Sequence, residues 1–367
     1  EDACQAIGAA VTSAQVAVTV LRSFDGDVRL PSSVGWGVDG QLYGTNGNAL
    51  APGGVWRLDA DGANLVGQTT ADIFVVTSPL VRNGAGVFYG TAERASCPAT
   101  STNSTGVITA DYGTVFRFGS DRVVTRLAAT ENKIYCPQGN ISIDAAGNLY
   151  VLDLGNGSGT MTPSSGGGEG ALWKISADES TVTLVRAFAA ATDGRATVAV
   201  IAGEGNWLYG VNSTGGPARI DQPGVAVNGT VYRVRPDGSE FSVLHSFVAS
   251  EGRPANSATS KSGLIEANGY LYGTTFSLAD GHGSLYRLRT DGSEFSVLHR
   301  FSNTPDGRRP AGELIRGGDG NIYRLARDGS AWEVAGVLAF PRTFHQLIEG
   351  PNGLLAVGGI PSRSRGA

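Results

Sequence analysis

Histidine occurs four times and methionine once in 367 residues, and charged side chains make up only 17% of the chain. So few histidines leave little from which to build a histidine-based metal cage. The three cysteines, Cys4, Cys97 and Cys136, form no Cys-x-x-Cys pair and no Cys/His cluster, which excludes the usual zinc modules. No run of about 18 apolar residues is present, which excludes a membrane-spanning helix. Apolar residues nowhere keep a helical period, which excludes a helical bundle. Also missing are the Gly-x-Ser-x-Gly elbow, His-Glu-x-x-His, the phosphate loop and the dinucleotide fingerprint. Basic residues number 28 against 33 acidic ones, whereas nucleic-acid binders usually carry a basic surplus. The sequence thus implies no cofactor, no metal, no nucleic-acid partner and no membrane span.

What the chain has is glycine, 54 residues of it, and a repeat. Asp237-Gly-Ser-Glu-Phe-Ser-Val-Leu-His245 returns letter for letter as Asp291 to His299, 54 positions later. Identity of this kind within one chain marks a duplicated structural unit. A Gly-x-Leu-Tyr-Gly-Thr phrase recurs at Gly40–Thr45, Gly86–Thr91 and Gly269–Thr274, with shorter copies at Asn206–Gly210, Gly147–Tyr150, Gly320–Tyr323 and Gly353–Ala356. A second mark, an aromatic followed by Arg or Lys, comes after it at Trp56-Arg57, Phe116-Arg117, Trp173-Lys174, Tyr232-Arg233 and Tyr286-Arg287.

Each unit reads as four short strands, because apolar and polar residues alternate over four to six positions between Gly, Asp, Asn and Pro. Asp237-Gly238 and Asp291-Gly292 suit tight turns between the third and fourth strands. The expectation is an all-β, seven-bladed β-propeller. Its last blade, begun by Phe344–Glu349 and Leu354–Gly358, is to be closed by Val16–Phe24, whose Val-Leu-Arg-Ser-Phe matches Val243–Phe247. Closure of that kind hides a sheet edge. The whole chain, 1–367, reads as one domain, with residues 1–15 as an arm, 16–24 as the closing strand and 359–367 as a tail.

The Leu-Tyr-Gly-Thr, Gly-Thr-Val-Tyr-Arg, Asp-Gly-Ser and Val-Leu-His-Ser-Phe phrases resemble the GloVer tandem repeat of secreted and surface-anchored bacterial proteins. The resemblance runs over most of Val16–Gly358 and is clearest from Gly229 to Phe301. It implies a propeller and export. It carries no catalytic residue with it.

The first residue is Glu1, as after removal of a signal peptide. In a propeller the long insertion that holds Cys97 and the crossing that holds Cys136 emerge on one face of adjacent blades. A Cys97–Cys136 disulfide is therefore expected, and with it an oxidising compartment, extracellular or periplasmic. Cys4 is left over. Asn-x-Ser/Thr sequons stand at Asn103, Asn140, Asn156, Asn212 and Asn228; they permit glycosylation without establishing it.

His245 and His299 occupy equivalent repeat positions, which points to blade packing. His282 falls in a short loop. His345 stands alone at the start of an inner strand, either packed or chemically employed. Asp59-Ala-Asp61-Gly62 superficially resembles a calcium loop but fills the same turn slot as Asp237-Gly238. The crossings from each outer strand to the next inner strand hold Arg29, Lys133, Arg195, Arg253, Arg308 with Arg309, and Arg342. Three of these share an acidic-Gly-Arg phrase, at Asp193–Arg195, Glu251–Arg253 and Asp306–Arg308. Equivalent crossings lie on one face, so the bases read as an anion site, arginine being suited to carboxylates. The competing expectation is that each Arg merely pairs with its neighbouring acid and shapes a turn.

Two functions fit. One is a secreted, monomeric carbohydrate-active enzyme that cleaves an acidic, uronate-containing polysaccharide as a lyase; a hydrolase is a variant of it. Arg342 or Arg195 would neutralise the carboxylate and His345 or Tyr135 would take the proton, with Arg29, Lys133, Arg195, Arg253 and Arg308 binding substrate. The other is a non-catalytic propeller that binds glycan or protein through its loop-rich face.

Overall fold

The computed structural model describes residues 31–48, 51–59, 62, 64–69, 75–76, 78–93, 113–130, 133–134, 136–154, 169–254, 263–276, 282–301, 314–316, 322–323, 346–350 and 353–357. Apart from single 3-10 turns, the regular elements among them are strands. The first sheet holds β1 (Pro31–Trp36), β2 (Leu42–Asn48), β3 (Ala51–Leu58) and β4 (Leu65–Thr69). The second holds β5 (Val75–Val76), β6 (Val81–Arg82), β7 (Phe88–Glu93), β8 (Gly113–Phe118) and β9 (Thr125–Arg126), with β5 and β6 both paired to β7. The third is β10 (Pro137–Ile143), β11 (Leu149–Asp153), β12 (Ala171–Ile175) and β13 (Val182–Ala187). The fourth is β14 (Arg195–Gly203), β15 (Trp207–Thr214), β16 (Val227–Val234) and β17 (Ser242–Val248). The fifth is β18 (Leu264–Ala267), β19 (Tyr270–Thr275), β20 (Ser284–Arg289) and β21 (Ser296–Arg300). Two hairpins follow: β22 (Ile315–Arg316) with β23 (Ile322–Tyr323), and β24 (Gln346–Gly350) with β25 (Gly353–Val357).

All strand pairs between the named strands are antiparallel and, apart from β5 with β7, join sequence neighbours, so the sheets are meanders. The inner strands of successive sheets pack on one another: β10 against β6, β14 against β10, β18 against β14 and β24 against β22. The β24–β25 hairpin also packs on β1. The last sheet thus meets the first, which is the arrangement of a β-propeller. Residues 16–24, expected to close the final blade, lie outside the described residues, as do 1–15 and 359–367.

The Tyr-Gly phrase has a packing cause. Gly44 faces Trp56 across the ladder, Gly90 faces Phe116, Gly210 faces Tyr232 and Gly273 faces Tyr286. Each ring folds over its glycine, and a Cβ on any of the four glycines would collide with that ring. The aromatic is thereby held flat inside the sheet stack; Trp56, Phe116, Tyr232 and Tyr286 are all fully buried. Among the five described four- and five-stranded sheets, the third alone departs, pairing Val151 with Trp173. The core lies between blades. One cluster joins Tyr89 and Val115 of the second sheet to Ile141, Val151 and Trp173 of the third. Another joins Val211, Val231 and Phe247 of the fourth to Leu271, Tyr286 and Leu288 of the fifth.

On the inner strands, or one residue before them, a buried aliphatic stands at a shared level: Val34, Leu80, Ile141, Val200, Leu264 and Leu314. Asn140 ties two of these strands together. Its Nδ2 donates to Val200 O and its Oδ1 accepts from Val200 N–H, both at 2.7 Å. The central space among the inner strands has a volume of about 270 Å³ and is lined largely by aliphatics, including Ile143, Val198, Ile201 and Leu264. A throat of that composition disfavours a charged ligand, so ionic recognition belongs at the ends of the ring.

Candidate functional site

The loops between second and third strands and the crossings between blades emerge at the same end, as two matched contacts show. Asn212 of β15 and Thr230 of β16 donate to the carbonyl of Asp193 at 2.9 and 2.6 Å. One blade on, Thr275 of β19 and Ser284 of β20 donate to the carbonyl of Glu251 at 3.4 and 3.1 Å. Polar side chains at the ends of two strands thereby fix each crossing at its acidic residue.

At the two described acidic-Gly-Arg phrases the acid turns back to the outer strand behind it. Asp193 is 2% exposed. Its Oδ2 accepts from Arg186 Nε and Nη2 at 3.0 and 2.7 Å, and its Oδ1 accepts from Thr192 at 2.9 Å. Glu251 does the same one blade later. Its Oε2 lies 3.0 Å from His245 Nε2 and 3.1 Å from Val248 N, and its Oε1 accepts from Arg219 Nη1 at 2.6 Å. Burial pushes the Glu251 carboxyl up, but the bonds from His245, Val248 and Arg219 outweigh it and hold the group below its ordinary range. Arg186 and His245 sit at equivalent positions, opposite Leu172 and Val231. Each also lies on a phenyl ring of the next blade: Arg186 over Phe241 at 4.0 Å, His245 over Phe295 at 3.6 Å.

With Asp193 and Glu251 so engaged, Arg195 and Arg253 are left over among the described residues. Arg195 is exposed and opens β14; Arg253 is half-buried, its carbonyl taken by Phe276 N–H at 2.7 Å. Among the described residues neither guanidinium meets a carboxylate. The expectation that these arginines merely pair with their own acids is therefore corrected: the acids bind Arg186, His245 and Arg219 instead. Lys133 stands apart. Its ammonium donates to Val182 O at 3.1 Å, at the turn end of outer strand β13. Arg29, Arg308, Arg309, Arg342, His345 and Tyr135 lie outside the described residues.

Several other cations are spent on structure. Arg235 and Arg289 pair with Glu240 and Glu294 across the repeated turns, and Arg117 reaches Glu179 of the next blade. Arg235 also covers Trp207 at 3.6 Å. Tyr43 and Tyr89 are pushed up to about 12 by burial and by hydrogen bonds to Asp39 and Glu179. These tyrosine hydroxyls tie strands to turns and offer no base. His299 is exposed and edge-on to Phe301 at 4.9 Å.

Two sequons are structural. Asn140 clamps the inner strands, and Asn212 is fully buried with its amide on Asp193 O. Cys136 is fully buried; Cys97 and Cys4 lie outside the described residues. The sequence offered no separate sign of Arg186 or Arg219. The cue for Arg186 was the spacing of six or seven residues from a basic outer-strand position to the crossing acid, at Arg186–Asp193 and His245–Glu251, legible only once the register is known; Arg219, 32 residues from Glu251, had no such cue.

The family model of the Gloeobacter/Verrucomicrobia repeat matches residues 220–347, the stretch that holds the two identical phrases. No curated protein matches the sequence. Among solved structures the chain is similar to a TolB-assigned protein of Agrobacterium tumefaciens, at 11% identity and a TM-score of 0.45, over 84% of this chain and 87% of that one. A protein of unknown function from Bacteroides thetaiotaomicron gives 12% and 0.46, over 84% and 68%. A gluconolactonase from Xanthomonas campestris gives 11% and 0.42, over 78% and 79%. No helix among the described residues is long and apolar enough to cross a membrane.

Proposed function

We propose that this chain is a secreted, seven-bladed propeller, closed by residues 16–24, that binds an acidic, uronate-containing polysaccharide at its crossing face. One observation carries the binding half. At two consecutive crossings the local carboxylate is committed to the blade behind, and Arg195 and Arg253 are left without an acidic partner among the described residues. A guanidinium fork without a partner at the rim is suited to a ligand carboxylate. A disulfide joining Cys136 to Cys97 belongs to the same reading and would go with an oxidising compartment.

Binding is the part of this reading that the described residues support, since they supply cations at this face. Lyase cleavage of the same ligand requires a base, His345 or Tyr135, to take the proton beside a carboxylate held by Arg342, while the C–O bond beyond it breaks. One experiment separates the two. Polygalacturonate, alginate and a neutral glucan are incubated with the protein, and binding and ultraviolet absorbance are followed together. Retention of the acidic polymers alone, with flat absorbance, supports the binding module. Rising absorbance from an unsaturated product assigns the lyase. Equal retention of the neutral glucan, or none of any polymer, defeats the proposal.

A further inference from the structure

The loop between β15 and β16, residues 215–226, is fastened at both sides of the proposed site. At its root Gly216 N–H donates to Ala190 O at 2.8 Å, in the crossing that leads to Arg195. Gly215 packs so close to the Ala190 carbonyl that a Cβ there would collide with it. Farther along, Arg219 reaches Glu251, in the crossing that leads to Arg253, at 2.6 Å. The same guanidinium holds the loop's own Asp221 through Nε at 2.9 Å and Nη2 at 2.5 Å. Glu251 is in turn fixed by His245 and Val248. The loop therefore bridges two crossings through an ordered chain of charged hydrogen bonds.

Between the two residues that make this anchor stands Ile220, which is 99% exposed. Single exposed aliphatics are common on protein surfaces. This one differs in its setting. Arg219 and Asp221, its two chain neighbours, are both locked, so the backbone that carries it has little freedom to fold the side chain away. Val225, on the same loop, is 41% exposed. An apolar side chain is thus held out to solvent on a loop that joins the crossings leading to Arg195 and Arg253.

We infer that the 215–226 loop is the recognition element for one polymer chain, with Arg195 and Arg253 each taking a carboxylate and Ile220 packing on the apolar C–H face of the sugar ring between them. The inference rests on the acidic-polysaccharide reading and deepens it: the ligand is a chain with recurring carboxylates, not a single uronate. Each arginine belongs to its own blade, so a monosaccharide engages one of them and a chain engages both. Joining two weak contacts on one ligand raises affinity without any new contact, by two or more orders of magnitude when the linker matches the span.

The test is a chain-length series. Galacturonate and mannuronate oligomers of one, two, four and eight units are titrated calorimetrically into the parent protein and into Arg195→Ala, Arg253→Ala and Ile220→Ser. All three positions are solvent-facing or at the rim, and a thermal melt checks that the variants fold. The expected result is an octamer bound roughly a hundredfold more tightly than the monomer by the parent. Each arginine variant should lose most of that gain, and Ile220→Ser should weaken octamer binding about three- to tenfold while leaving monomer binding unchanged. Equal affinity for monomer and octamer overturns the inference and leaves the acidic-glycan reading standing. Octamer binding unmoved by all three substitutions overturns the role of the loop. Failure of both series to bind removes the underlying reading together with the inference.

Discussion

The imidazole of His245 stacks on the phenyl ring of Phe295, centroids 3.6 Å apart and planes within 6°. The two residues are the last of one copy of the repeated phrase and the fifth of the next. The identity of the copies is therefore an interface property: each copy ends on a surface that the following copy is shaped to cover. Gly292 belongs to the same contact, with φ +92° and the Leu244 carbonyl of the preceding blade close by. Arg186 on Phe241, with Gly238 against Val185, repeats the arrangement one blade earlier.

Removing Arg186 should cost more than removing most surface arginines. Asp193 is buried, and Arg186→Met strands its carboxylate. The expected loss is about 3 kcal/mol, at the lower end for a broken buried pair because Arg186 is itself partly exposed. Urea denaturation of Arg186→Met beside Arg195→Met checks it; the second variant should unfold like the parent.

Glu251 should couple stability to acid. Its folded-state pKa is held below the ordinary value of 4.5. Its contribution is therefore complete above the unfolded value and disappears as pH falls through the folded one. Glu251→Gln should lower stability at pH 7 by about 1.5–3 kcal/mol, with the gap to the parent closing below about pH 4. Melting temperatures from pH 7 to pH 3 measure this, and a constant gap would contradict it.

Gly210 and Gly273 should not accept a methyl group. A Cβ at either would enter the ring of Tyr232 or Tyr286, both packed between blades. Overpacking of this kind costs about 1–3 kcal/mol. Gly210→Ala is expected to show it in denaturant melts, while Gly40→Ala, where a Cβ meets open space, should lose only the strain of its positive φ.

The Cys97–Cys136 pairing stays a prediction. Peptide mapping without reductant should recover the two cysteines in one linked fragment, and a Cys4–Cys136 fragment would refute the pairing.

Architecture was legible in the sequence because its signals are local. Turn glycines, alternating residues and the Tyr-Gly phrase all act within one hairpin, and the sheets appear where those phrases stand. The site was legible only in part. The sequence marks Asp193 and Arg195 as neighbours and so as an apparent pair. In three dimensions a crossing residue two positions away points elsewhere, while Arg186, seven positions back, lies alongside. Arg219 was harder still, since its partner Glu251 is 32 residues away and the link depends on how a loop folds over a crossing. Lys133 shows the reverse case: it falls in a crossing by sequence, yet its long side chain reaches the far end of β13.

The central claim is that Arg195 and Arg253 bind the carboxylates of an acidic polysaccharide. The direct measurement is the affinity of the parent and of Arg195→Ala/Arg253→Ala for polygalacturonate at fixed ionic strength. A charge-assisted contact is worth about 1.5–3 kcal/mol, so loss of even one effective contact should weaken binding roughly tenfold or more, and the salt dependence of the remainder should be shallower. A double variant that binds polygalacturonate as tightly as the parent, with the same salt dependence, would contradict the account.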